Sequence, residues 1–150
     1  MKHDARQATD TTGRRAAAGF TLIELLVAVA ILAIVMGVAI PSYNRYVIES
    51  GRSEGQALLY QAAQTLERCY TRYSAYNDGQ CPLQQGDTLD SENDKYQLTA
   101  TTVGEQDFTL TAAPRGSQTN DSECGSLTLT ANGTKGAAGG TDADVVEECW

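Results

Sequence analysis

The sequence predicts an α+β fold, in which a long N-terminal helix packs against a small antiparallel β-sheet. Three observations indicate it: an apolar run over residues 20–40, a helical stripe of apolar residues after it, and three later segments in which apolar residues alternate with threonine. The first half of the helix is expected to be apolar on all sides and the second half amphipathic. At 150 residues, the chain has the length of one domain.

Residues 20–40, called the apolar segment below, contain a single charged side chain, Glu24. A helix of that length rises about 31 Å, close to the hydrocarbon thickness of a bilayer. We interpret the segment as a membrane-spanning helix; a cleaved secretory signal and a buried core helix are the alternatives. The flank that begins at Pro41 lacks the small-residue cleavage pattern of a secretory signal. The rest of the chain is too polar to wrap a core helix fully.

Basic residues on the two sides of the apolar segment predict its orientation. Four precede it and two follow it shortly: Lys2, Arg6, Arg14 and Arg15 before it, Arg45 and Arg52 after it. The N-terminus is therefore expected to stay in the cytoplasm and the C-terminal body to be exported. Four cysteines in that body agree with an oxidising compartment.

Composition and charge exclude several classes of function. Residues 1–19 hold four of the eleven basic and two of the nineteen acidic side chains, so residues 20–150 carry a net charge of −10. This charge argues against an extended nucleic-acid surface, and nucleic acid is not an expected partner. The only histidine is His3, and no phosphate-binding loop motif is present. The sequence therefore predicts no enzyme and no cofactor.

Residues 41–73 are expected to continue the helix in amphipathic form. Pro41 removes a backbone donor and is expected to kink the helix there. Beyond Gly55 the apolar residues recur at intervals of three and four, at Leu59, Ala62, Ala63, Leu66, Cys69, Tyr70 and Tyr73. We expect this stripe to pack on the sheet.

Residues 74–95 are rich in turn-forming residues and are expected to form a connecting loop. Strands are predicted at residues 96–101, 108–112 and 126–130, and residues 96–150 are expected to hold a sheet of three or four strands and a C-terminal loop. The acidic clusters at residues 90–94 and 142–148 raise the alternative of a calcium site. Because these clusters lack EF-hand spacing, we expect them to be solvated surface. A zinc site is not expected either, because no CxxC pair is present. The sequence therefore predicts no metal.

The start of the apolar segment resembles the type IV pilins and pseudopilins. A basic leader ends in Gly19, Phe20 and Thr21 follow, and Glu24 stands at the fifth position after the glycine. The resemblance implies a leader peptide over residues 1–19. A prepilin peptidase would cut between Gly19 and Phe20 and N-methylate Phe20. The resemblance also implies that Glu24 pairs with the amino terminus of a neighbouring subunit and sets the register of the filament.

Several later stretches look like those of the PilE-like minor pilins: residues 40–46, 50–59, 124–129, 133–139 and 149–150. The resemblance implies a type IV pilin fold and a minor pilus subunit that supports pilus assembly, twitching motility and adhesion. Its partners would be other pilin subunits, prepilin peptidase and the inner-membrane assembly machinery. The protein would lie in the inner membrane, with its C-terminal body in the periplasm, until it joins the extracellular pilus.

Two alternatives keep the same N-terminal chemistry. One is a pseudopilin of a type II secretion system, and the other is a DNA-uptake pilin. Arg68 and Arg72, four residues apart on one helix face, could form a small DNA contact, although surface charge pairing is the simpler interpretation of them.

The four cysteines permit three pairings, and their spacing alone does not choose among them. We favour Cys69 with Cys81, which would close the helix end onto the loop, and Cys124 with Cys149, which would tie the tail to the sheet. The second pair resembles the C-terminal disulfide loop of the pilin family, whereas the first looks like an addition.

Overall fold

A computed structural model describes residues 19–150, so the expected leader, apart from Gly19, lies outside the described residues. One compact unit ends at Ala39, and a second, called the head below, spans Ile40–Trp150. The elements in chain order are helix α1 (Leu22–Tyr73), strands β1 (Thr88–Asp90), β2 (Tyr96–Val103) and β3 (Phe108–Pro114), a 3-10 helix (Gly116–Asn120), strands β4 (Leu127–Thr130) and β5 (Lys135–Gly136), and helix α2 (Ala143–Cys149).

The N-terminal unit contains the first part of α1. Thr21 caps the helix: its hydroxyl oxygen accepts a hydrogen bond from the backbone N–H of Glu24, and its carbonyl accepts one from Leu25, both at 3.2 Å. Leucine and alanine, which are strong helix formers, supply eight of the nineteen residues from Leu22 to Ile40, and valine and isoleucine supply another eight. Pro41 lies inside α1. Because proline has no N–H, the helix lacks one backbone hydrogen bond there; the expected kink stays a prediction.

In the head, five antiparallel strands form a meander in the order β1-β2-β3-β4-β5. The register sets Leu98 opposite Ala112, and Ala112 opposite Leu127. These residues are buried on one face, while the threonines between them lie on the other face, as the period-two pattern predicts.

The core of the head lies between the C-terminal part of α1 and the inner face of the sheet. Leu59 and Leu66 of α1 are fully buried and belong to one cluster with Tyr96 and Leu110 of the sheet. A Cβ atom on Gly55 would lie only 3.0 Å from the Tyr96 ring. The glycine therefore allows the close approach of helix and sheet.

The predicted α+β fold is confirmed, and its three predicted strands correspond to β2, β3 and β4. The sheet has five strands, however, rather than three or four. Strand β1 lies within residues 74–95, which were expected to be only a loop; all of its side chains are exposed, so no alternation marks it. Helix α2 lies in the acidic segment expected to be solvated surface, where Asp142 caps it by accepting a hydrogen bond from the Asp144 N–H at 3.1 Å.

Candidate functional site

The apolar segment presents bulky aliphatic side chains to its surroundings. Phe20 is 85% exposed, and every large apolar side chain from Leu22 to Ile40 is at least half exposed. Among the described residues, α1 is the helix that is long and apolar enough to cross a membrane. Burial of such a surface in lipid or against other apolar helices is strongly favourable.

Glu24 lies in the first turn of α1, and its side chain is exposed. None of the ion pairs in the described part of the chain uses its carboxylate. A carboxylate within an apolar surface is stabilised by a positive partner when that surface is buried. The geometry therefore leaves Glu24 available to a group from outside this subunit.

A buried ion pair joins α1 to the segment after the 3-10 helix. The guanidinium of Arg52 donates from Nε to Asp121 Oδ2 at 2.8 Å and from Nη2 to Asp121 Oδ1 at 2.9 Å. The two side chains are only 8% and 1% exposed. A third group, the largely exposed carboxylate of Glu123, accepts from the same Nη2 at 3.3 Å.

Surrounding polar groups complete this cluster. The side-chain amide of Gln118 donates to the Ile48 carbonyl at 2.9 Å and to the Tyr96 hydroxyl at 3.3 Å. The hydrogen bond to Asp121 raises the pKa of Arg52. Burial by itself would raise the pKa of Asp121, but the hydrogen bonds that it accepts, first from Arg52, outweigh burial and lower this pKa. Both groups are therefore held in their charged forms.

Two disulfides fasten the head, and among the described residues no cysteine is free. Cys69 is bonded to Cys81 and Cys124 to Cys149, the two pairs favoured from the sequence. The second bond holds α2, whose last carbonyl, that of Cys149, also accepts a hydrogen bond from Gln56 of α1 at 3.0 Å. The C-terminal segment is thus fixed to both the sheet side and the helix side of the head.

Arg68 and Arg72 lie together beside the first disulfide, in a concavity of about 290 Å³ called the arginine groove below. Both are exposed, and neither takes part in an ion pair among the residues that the structure describes. The groove is also lined by Tyr73, whose hydroxyl donates to Gln80 at 3.2 Å. Two unpaired guanidinium groups next to an aromatic ring and an amide can hold a phosphate-bearing ligand.

Family profiles match two consecutive parts of the chain. The profile described as "Prokaryotic N-terminal methylation motif" matches residues 14–40. The profile described as "Type IV minor pilin ComP, DNA uptake sequence receptor" matches residues 41–128, more than half of the chain. The chain belongs to this family of type IV minor pilins.

Individual proteins also resemble parts of this chain. The type IV major fimbrial protein FimA of Dichelobacter nodosus is 52% identical to this pilin over 40 residues, which are 27% of this chain and 25% of FimA. The chain therefore matches only about a quarter of the length of these curated relatives. Among solved structures, the non-core minor pilin PilV of Neisseria meningitidis is 25% identical, with 65% of this chain and 91% of that one covered and a TM-score of 0.49. A type IV pilin from Shewanella oneidensis is 26% identical, with 63% and 96% covered and a TM-score of 0.42.

The structure separates the predicted site residues into two groups. Gly19, Phe20 and Glu24 lie together at the start of α1, whereas the cysteines lie in the head. Sequence reasoning missed the Arg52–Asp121 pair, because Arg52 was counted only as a positive charge flanking the apolar segment. The two residues are 69 positions apart, and no local pattern connects them.

Among the described residues, no group of three or more His, Cys, Asp or Glu side chains could hold a metal ion. In the two acidic clusters, Asp90 instead pairs with Arg115 at 3.0 Å and Asp142 caps α2.

Proposed function

We propose that this pilin is a minor subunit of a type IV pilus, processed between Gly19 and Phe20 by prepilin peptidase, methylated at Phe20, and polymerised through residues 20–40. The observation that carries this proposal is the uncovered apolar surface of the segment, with the unpaired carboxylate of Glu24 near its start. Such a helix requires lipid before assembly and neighbouring apolar helices within a filament. Filaments built in this way would serve pilus assembly, twitching motility and adhesion.

Before assembly, the N-terminus would lie in the cytoplasm and the head in the periplasm of a bacterial cell. The two disulfides support an oxidising location for the head. Four basic residues precede the apolar segment and two follow it shortly. This excess on the N-terminal side favours a cytoplasmic N-terminus.

In the filament, Glu24 would pair with the methylated amino terminus at Phe20 of a neighbouring subunit. Each charge alone is costly in an apolar surrounding, and the two together offset much of that cost. Because the pairing is possible at only one axial offset, it would set the register between subunits.

The variant Glu24→Ala is expected to be cleaved after Gly19 normally but to enter filaments at less than a tenth of the wild-type level, because an unpaired buried amino terminus costs about 3–5 kcal/mol. Mass spectrometry that quantifies the peptide beginning at methylated Phe20 measures cleavage in the membrane fraction and incorporation in sheared filaments. Glu49→Ala, an exposed position on the same helix, is the matched control and should enter normally.

Normal incorporation of Glu24→Ala would contradict the register mechanism. Complete absence of the wild-type chain from filaments, together with lost protein secretion when its gene is deleted, would support the type II secretion pseudopilin instead.

The family description favours a second function: we propose that the head takes part in DNA uptake by contacting DNA phosphates in the arginine groove. A net charge of −10 over residues 20–150 disfavours an extended DNA surface. Of the five other basic side chains of the head, however, three are paired with carboxylates: Arg52 with Asp121, Lys95 with Glu54 and Arg115 with Asp90. A contact confined to Arg68 and Arg72 is compatible with both facts.

The double variant Arg68→Ala with Arg72→Ala is expected to weaken binding of duplex DNA about a hundredfold or more, since each of the two lost charge-assisted hydrogen bonds contributes roughly 1.5–3 kcal/mol. The slope of log affinity against log salt should also fall by about two, one for each lost phosphate contact. Fluorescence anisotropy with the full chain in detergent, at several salt concentrations, measures both quantities.

The double variant Lys95→Ala with Arg115→Ala is the matched control, because it removes the same two charges from residues that are already paired with Glu54 and Asp90. An equal loss of affinity in this control would assign the effect to net charge. It would thereby contradict a DNA contact in the arginine groove.

A further inference from the structure

The head contains a polar cavity of about 540 Å³ that shares no lining residue with the arginine groove. It lies where the turn between β2 and β3 meets the turn between β4 and β5, at one end of the sheet. Its volume falls in the range of small-molecule sites, about 300–1,000 Å³. The side chains that decide its chemistry are Tyr76, Gln106, Asp107, Phe108, Thr109 and Asn132.

Hydrogen bonds within the head orient the two carboxamides of this cavity. Asn132 Oδ1 accepts from the Thr130 hydroxyl and from the N–H and hydroxyl of Thr134, the last two at 3.1 and 2.8 Å. Gln106 Oε1 accepts from the Tyr70 hydroxyl at 2.8 Å. The oxygen of each amide is therefore occupied, and both NH₂ groups keep their donors for a ligand.

Acceptors lie beside these donors. Neither the Asp107 carboxylate nor the Thr109 hydroxyl takes part in a side-chain hydrogen bond or ion pair of the described residues, and no lysine or arginine lines the cavity. The carboxylate opposes an anionic ligand, while the amide donors oppose a bare cation. The lining instead matches a neutral molecule that both donates and accepts hydrogen bonds.

Buried aromatic rings support the cavity from beneath. Tyr76 and Phe108 lie edge to face with their ring centroids 5.0 Å apart, and Tyr76 also stacks on Tyr70 at 4.6 Å. The Tyr76 hydroxyl is held by Glu67 at 2.9 Å, so the ring is fixed from both ends. Because Tyr76 and Phe108 are only 6% and 3% exposed, they hold the polar rim in place, and recognition rests on that rim, which suits a ligand rich in hydroxyl groups.

We propose that this cavity binds a neutral carbohydrate, with Asp107 accepting from sugar hydroxyls and the amides of Gln106 and Asn132 donating to sugar oxygens. Binding there is independent of both DNA contact and filament assembly, so its failure would leave those proposals standing.

Saturation-transfer NMR on the full chain in phospholipid nanodiscs, which avoid sugar-based detergents, tests this. The probes are the methyl glycosides of glucose, galactose and N-acetylglucosamine, each at up to about 10 mM, which detects dissociation constants near 1 mM. At least one of them is expected to bind. Asp107→Ala and Gln106→Ala should each lower its affinity about tenfold.

Glu105→Ala is the matched control, because this neighbouring carboxylate is exposed and does not line the cavity. It should leave binding unchanged, and unaltered thermal unfolding midpoints would show that all variants are folded. Three results would overturn the proposal: no binding of any neutral glycoside, undiminished binding by folded Asp107→Ala, or equally strong binding of methyl glucuronide, whose negative charge Asp107 should reject.

Discussion

Replacement of Asp121 by alanine is expected to destabilise the head by about 3–5 kcal/mol, because it leaves the Arg52 guanidinium buried without its charge partner. The two side chains are 8% and 1% exposed and share two hydrogen bonds of 2.8 and 2.9 Å. The same variant also removes the acceptor of the Cys124 backbone N–H at 3.1 Å. Urea unfolding of the full chain in detergent, followed by fluorescence of Trp150, the single tryptophan, measures the change.

Two further variants separate the effect of breaking the buried ion pair from the effect of removing a charge near Arg52. Glu123→Ala removes the other carboxylate that contacts Arg52, but its side chain is 72% exposed, so the cost should stay below about 1 kcal/mol. Arg52→Met combined with Asp121→Leu removes both buried charges and should recover most of the lost stability. An Asp121→Ala variant no less stable than Glu123→Ala would show that the pair does not hold the head together.

The Arg52–Asp121 pair also predicts that the stability of the head decreases at low pH. Burial raises the pKa of Asp121, but the hydrogen bonds from Arg52 and from the backbone N–H groups of Cys124 and Glu123, together with the charge of Arg52, outweigh burial. The pKa of Asp121 in the folded head is therefore lower than its ordinary value. The stabilisation is therefore fully present above the unfolded-state pKa of about 3.9, and it is lost as the pH falls through the lower folded-state pKa. Asp121→Ala should lack this component of the acid dependence.

Removal of the C-terminal disulfide by the double variant Cys124→Ala with Cys149→Ala is expected to cost about 3.5 kcal/mol. The bond closes a sequence separation of 25 residues, and the entropy that it removes from the unfolded chain scales with the logarithm of that length. Both cysteines are also buried, so their packing sites would be disturbed. The same urea titration measures the loss, with Trp150 reporting directly because its indole N–H donates to Gly136 at 3.0 Å.

The other disulfide provides the comparison. Cys69 and Cys81 are separated by only 12 residues, so their double alanine variant should cost less, about 2.8 kcal/mol. Unchanged unfolding of the Cys124 and Cys149 variant, or a clearly larger loss from the shorter loop, would contradict chain entropy as the main source of the stabilisation.

Much of the fold could be predicted because its signals are local. The stripe that includes Leu59 and Leu66 repeats at helical spacing, and strands β2, β3 and β4 alternate with period two. Each signal reflects one face turned towards the core, and neighbouring residues are sufficient to produce it. The motif that contains Gly19, Phe20 and Glu24 is likewise contiguous, and the N-terminal methylation profile covers it.

The elements that escaped prediction lack such signals. Strand β1 has three exposed residues and depends on pairing with β2, while β5 has only two residues and depends on pairing with β4. Helix α2 is too short to be stable alone and is held by the bond between Cys149 and Cys124. The polar cavity also escaped, because two turns distant in sequence form it together.

The sequence by itself determined the apolar segment, the amphipathic face of α1 and the alternation of the central strands, because the spacing of neighbouring apolar residues reflects periodic burial. Only the tertiary structure decided which of the isolated charged side chains are buried and paired. Arg52 reads in sequence as one more charge after the apolar segment, whereas folding buries it against Asp121, 69 residues away. Arg68 and Arg72 stay exposed and unpaired in the head. Whether a charge is buried or free depends on which distant groups the packed core brings to it, and that information is not local.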